Sequence, residues 1–119
     1  PARAPDPITL VGVAEEVMLR WGAMSLVAWA LALLLPSEAR TVSMALAVAM
    51  AALLFAAGHL PAVAAQLDLT PAIVTRTLVL NGLAGLLYGW LFWRRHLEAA
   101  MVAHACTHLG LAAWRLLAT

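Results

Sequence analysis

Ser43-Met44-Ala45-Leu46-Ala47-Val48-Ala49-Met50-Ala51-Ala52-Leu53-Leu54-Phe55-Ala56-Ala57 decides the fold. The run holds no charged residue. Wound into a helix it presents Leu, Met and Ala on every side, whereas a helix of a soluble bundle needs a polar stripe. Ala and Leu also dominate where a membrane strand would show alternation. The segment therefore reads as a helix in hydrocarbon. Three further stretches have comparable character, giving spans at 11–35, 42–60, 72–93 and 97–117, each near the roughly 20 residues that cross a hydrocarbon core of about 30 Å. Between them lie Pro36 to Thr41, Pro61 to Pro71, and Arg94-Arg95-His96, which combine helix-stopping and charged residues.

Composition agrees. The 119 residues are 65% hydrophobic and 11% charged, with a mean hydropathy of +0.93, far from the half-apolar, quarter-charged profile of soluble domains. The expectation is an all-α, polytopic membrane helical bundle of about four transmembrane helices, forming one domain over residues 1–119. Position 1 is not Met, and no short apolar stretch precedes a cleavage site, so the chain reads as a piece of a longer protein. Seven basic against six acidic residues give a net charge of +1, which excludes nucleic acid as a partner. A single cysteine, Cys106, excludes an internal disulfide, and its apolar setting assigns it to packing. Trp90, Phe92 and Trp93 before Arg94-Arg95, and Trp114 before Arg115, mark helix exits into headgroups. Arg3, Arg76 and Arg115 fall at one membrane face and Arg40, Arg94 and Arg95 at the other, so charge does not choose an orientation.

The informative residues are the polar ones inside spans: Glu15, Glu16, Arg20, His59, Asn81, His104 and His108. A charged group at mid-membrane costs about 2.5 to 3.5 kcal/mol on insertion scales, so such residues face the bundle interior and mark function. Glu16 and Arg20 are four apart and pair on one face, while Glu15 is rotated by about 100° toward Leu19 and keeps no counter-charge. His104 and His108 are also four apart and can aim at one spot. At about 1.5 Å per residue, Glu15 lies about 6 Å inside the surface at which His59 exits, with His108 and His104 about 14 and 20 Å from it. A carboxylate and three imidazoles thus converge in one half of the bundle. Asn81 reads as an interhelical amide bond, His96 as a solvated loop residue, and Gly82, Gly85 and Gly89 as a close-packing stripe.

Glu15-Glu16-Val17-Met18-Leu19-Arg20, Phe55-Ala56-Ala57-Gly58-His59 and His104-Ala105-Cys106-Thr107-His108 resemble the three successive motifs of the CPBP intramembrane proteases, which include the CAAX prenyl endopeptidases and the Abi proteins of bacteriocin processing and self-immunity. The resemblance runs from about Gly12 to Gly110, with the stretch from Gly85 through Tyr88-Gly89-Trp90 similar to the family's approach to its last motif. Two positions depart: His108 stands where Asn is usual, and Trp21 where Gly is common.

The resemblance implies endopeptidase cleavage of a membrane-associated peptide or protein by an activated water. Glu15 would be the general base, His59 would orient the water, His104 and His108 would hold the oxyanion, and the Glu16–Arg20 ion pair would support the site. The family is often labelled a metalloprotease, and Glu15, His59, His104 and His108 are a plausible zinc set. The partners implied are the lipid bilayer and the substrate, in what we expect to be a bacterial cytoplasmic membrane. Two alternatives stay open: a catalytically silent immunity or binding protein, favoured by His108, and a b-type haem anchor using His59 with His104 or His108, which leaves the acids unexplained.

Overall fold

The structure, a computed structural model, describes residues 7–118, with side chains from Leu10 onward. Arg3, counted above at one face, lies outside the described residues. All described elements are helical: α1 (Pro7–Glu16), a π-helical segment (Val17–Met24), α2 (Ser25–Leu34), a 3-10 turn (Ser37–Ala39), α3 (Arg40–Gly58), α4 (Leu60–Ala64), α5 (Pro71–Arg94) and α6 (Leu97–Leu117). The first three elements run on without a break as one long span. Among the described residues three stretches, Leu10–Leu34, Ser37–Ala64 and Pro71–Arg94, are long and apolar enough to cross a membrane. The fourth expected span, α6, has 21 residues but is not apolar enough to join them, because His104 and His108 lower its hydropathy. The outer surface carries large apolar side chains, including Leu53 (70% exposed), Leu109 (69%) and Trp21 (67%), as a lipid-facing bundle requires.

Local chemistry sets the ends. Pro36 adopts extended backbone and closes α2. Thr70 caps α5 by accepting from the Ile73 N–H at 3.3 Å, with Pro71 in the first turn. His96, expected as a free loop residue, caps α6 by accepting from the Ala99 N–H at 3.2 Å. Pro61 does not end a helix. It begins α4, where its missing N–H costs nothing, so the separator shrinks to 65–70.

The core is thin and made of small residues. Ala47, Ala51, Ala52 and Ala56 line one buried face of α3, and α5 closes on it through glycine. A Cβ on Gly85 would lie 2.9 Å from the Ala52 Cα, and one on Gly89 3.0 Å from a Val48 methyl. Gly82, placed in the same stripe by its spacing, faces open space. Met24 seals the opposite side against Ala47, Val48 and Ala51, with Phe92 and Trp93 packed on the same cluster. Of the aromatic exit markers, Trp90 and Trp114 therefore point outward while Phe92 and Trp93 join the core. Cys106 is exposed, not packed.

Candidate active site

Glu15 and Glu16 are the last residues of α1, and the π-helical winding begins at Val17. Single π turns within α-helices recur at functional sites, and here the change falls directly after the acid pair. The expected ion pair is present: the Arg20 Nε donates to Glu16 Oε2 at 3.0 Å, with both side chains fully buried. Further hydrogen bonds to the remaining polar atoms offset the cost of burying such a pair. Glu16 gains one across the bundle, where its Oε1 lies 2.9 Å from His104 Nδ1. Because Glu16 is a carboxylate held by Arg20, it accepts and His104 Nδ1 donates.

Glu15 differs from its expected setting. It is half-buried, and its Oε2 approaches His104 Nε2 at 3.6 Å. Adjacent residues of one helix diverge by about 100°, yet an imidazole has two nitrogens on opposite edges, and His104 takes one carboxylate on each. His104 and His108 share a face of α6, as their spacing predicts, but they aim at each other. Their Nε2 atoms stand 3.0 Å apart. Two ring nitrogens at that distance share one proton: His108 donates it to a neutral His104, and a His104 imidazolium, with a carboxylate at each nitrogen, donates it to His108.

His59 sits in the short turn between α3 and α4. Its Nδ1 lies 2.7 Å from the Phe55 carbonyl, which can only accept, so Nδ1 carries the hydrogen and a neutral ring leaves Nε2 as a proton acceptor. Phe55 joins His59 to the rest. Its ring meets His59 edge-on at 4.6 Å, His104 at 5.5 Å and Tyr88 at 5.9 Å. The Arg20 guanidinium carbon lies 5.3 Å from the Phe55 ring centre and 5.9 Å from that of Tyr88. Its two terminal nitrogens are buried with no hydrogen-bond partner, and aromatic faces are what they meet instead.

The structure thus gathers Glu15, Glu16, Arg20, His104 and His108, and sets His59 beside them across Phe55. Asn81 stays outside: its amide donates to the Thr77 carbonyl of its own helix at 2.9 Å and bridges nothing. Sequence reasoning quoted Phe55 and Tyr88 within the family-like stretches but gave neither a role in the site. The available signal was that Tyr88, the chain's one tyrosine, lies between the packing glycines and so on the inner face of α5.

The zinc set Glu15, His59, His104 and His108 does not fit as the side chains stand. Among the described residues no group of three or more His, Cys, Asp or Glu is arranged to hold a metal ion. His104 has committed both nitrogens, and His59 turns its Nδ1 to backbone. No step below runs through a metal.

The family model described as "Type II CAAX prenyl endopeptidase Rce1-like" matches residues 7–110. No curated protein and no solved structure matches the chain.

Proposed function

Since the chain belongs to the Rce1-like family of type II CAAX prenyl endopeptidases, we propose that it hydrolyses a peptide bond of a membrane-associated substrate at the cluster around His104. One observation carries this reading: two acids from the first span and two imidazoles from α6 meet in one network, centred on the buried contact of Glu16 with His104, 88 positions away. A chain that needed them only for packing would not place ionisable groups at that depth.

In the proposed reaction Glu15, the less buried of the two acids, takes the proton of a water whose oxygen adds to the scissile carbonyl. His59 Nε2 accepts a hydrogen bond from the same water and holds it in line. The carbonyl oxygen, now an oxyanion, receives N–H donation from the His104–His108 pair. The proton on Glu15 then passes to the leaving nitrogen as the C–N bond breaks, so one water is consumed and both termini are released. Glu16 and Arg20 touch no reacting atom. They fix the face His104 turns to the substrate.

A second reading has its own support. Because the proton between the two Nε2 atoms is spent within the His104–His108 pair, the donor an oxyanion needs is already engaged, as in a catalytically silent relative that binds a partner. Cleavage of a fluorogenic membrane-peptide library by the purified full-length protein in detergent, beside Glu15→Gln and His59→Ala, decides between them. Proteolysis by the wild type and a loss of at least ~100-fold in Glu15→Gln, the scale of a lost general base, establishes the enzyme. Equal inertness of well-folded wild type and variants establishes the silent relative.

A further inference from the structure

His104 is held by its nitrogens, but two hydrogen bonds at opposite edges of a ring leave it free to tilt about the line joining them. Something must fix its plane. Tyr88 lies against it with ring centres 4.8 Å apart and planes within 15°. At that spacing two nearly parallel rings of this size can only be offset and face to face, the favoured stacking geometry. Tyr88 is 1% exposed.

Tyr88 is itself fixed from three directions. Its hydroxyl donates to Thr107 Oγ1 at 2.7 Å, and Thr107 in turn donates to the Ala103 carbonyl at 3.0 Å. The tyrosine is thereby tied to α6 at two points, the His104 ring and a hydroxyl three residues further on. Its backbone is pinned to α3, because Gly85 one turn before it and Gly89 beside it make the closest approaches to Ala52 and Val48. The Phe55 ring stands edge-on to both, at 81° to Tyr88 and 84° to His104. Leucine would fill a similar volume, but it offers neither a flat face nor a hydroxyl.

We propose that Tyr88 is a positioning residue: its ring sets the plane in which His104 presents Nε2 to Glu15 and His108 while Nδ1 remains on Glu16. The proposal rests on the hydrolytic reading of this cluster for its kinetic consequence, though not for its geometry. Tyr88 covers the imidazole from α5, the His108 ring stacks beside it with centres 4.8 Å apart and planes within 20°, and approach is left to the edge where the half-buried Glu15 lies. A tilted imidazole would keep its contact with Glu16 and lose the direction of its other nitrogen.

The test uses the full chain in detergent micelles, labelled at histidine for NMR, together with kinetics on a fluorogenic membrane peptide. The variants are Tyr88→Phe, Thr107→Val, the double variant and Tyr88→Leu. A ring stacked on its face shifts the carbon-bound protons of His104 upfield. Tyr88→Leu removes that ring current in any case, and it is expected in addition to shift the ring-nitrogen signals of His104 and His108 as the bond between their Nε2 atoms is lost, and to lower kcat by ~100-fold, the effect of about 1 Å of misplacement, with KM little changed. Tyr88→Phe and Thr107→Val remove the same tether, worth about 1 kcal/mol or roughly fivefold. Each lowers kcat by that factor, and the double variant falls no further.

A folded Tyr88→Leu whose His104 and His108 ring-nitrogen signals stay in place overturns the proposal, even if kcat falls, because the hydrogen bond between the two Nε2 atoms would then survive without the ring and Tyr88 would act by packing alone. Additive losses in the double variant overturn it too, and they do so without Tyr88→Leu if that variant fails to fold. Should the wild type cut nothing, the hydrolytic reading falls while the ring-nitrogen signals still decide what sets the ring's plane.

Discussion

Glu16 and His104, 88 positions apart in the chain, meet at 2.9 Å between two side chains that are almost wholly buried. This contact joins the first span to α6, and Glu16 holds it while also neutralising Arg20. Replacing Glu16 by Gln keeps the shape and removes the charge, leaving Arg20 as an uncompensated buried cation. The expected cost is about 3–5 kcal/mol, read as a large fall in apparent Tm in detergent. Glu15→Gln, at a half-exposed position, is expected to keep the wild-type Tm. Equal destabilisation by the two changes would contradict the division of labour drawn between the acids.

His59 presents Nε2 because its Nδ1 is engaged by the Phe55 carbonyl. His59→Gln retains a hydrogen-bond acceptor but moves it off the line along which Nε2 holds the water. We expect kcat to fall by ~100-fold, the effect of about 1 Å of misplacement, with little change in KM and an unaltered circular-dichroism spectrum. A matching rise in KM would instead mean that His59 binds substrate.

Gly85→Ala forces a Cβ to 2.9 Å from the Ala52 backbone, whereas Gly82→Ala meets nothing within 4 Å. The first is expected to destabilise by about 1–3 kcal/mol through overpacking. The second should be neutral or stabilising by up to ~1 kcal/mol, the helix-propensity gain of Ala over Gly. Thermal unfolding of both in one detergent checks the pair, and equal shifts would refute the close approach of α3 and α5.

Among the described residues the side chains, as they stand, do not assemble a metal site, so exhaustive dialysis against a chelator is expected to leave both Tm and peptide cleavage unchanged. Elemental analysis of the same preparations should find no stoichiometric zinc. Activity lost on chelation and restored by zinc would show that Glu15, His59, His104 and His108 rearrange into a ligand set.

Much of this was legible beforehand, for physical reasons that differ by residue. Spans follow from length and apolarity, so three of the four emerge within a few residues of their sequence bounds. The Glu16–Arg20 pair is a property of one helix and follows from spacing alone. What spacing cannot give is the partner on another helix. Glu15 seemed to lack a counterpart because only Leu19 lies beside it in sequence, whereas His104 reaches it from α6. His104 and His108 were rightly set on one face, but ring direction depends on rotamers, which no periodicity encodes. Gly82 differs from Gly85 only in how α5 is rotated against α3, and Asn81 found a partner in its own helix before it could reach another.

The π-helical segment gives the first span two phases. Up to Glu16 the helix serves α6, presenting Gly12 and both acids to His104. From Met24 onward it serves α3, where Met24, Val27 and Ala28 meet Ala47, Val48 and Ala51. A rod of uniform pitch carries the bearing of one end to the other, and a sequence fitted to one neighbour would then be out of step with the second. The looser winding of Val17–Met24 takes up that difference. Its length is thus a timing element. Deleting one residue there would restore even pitch and turn either the acids or Met24 toward lipid, with every side chain of both faces unchanged.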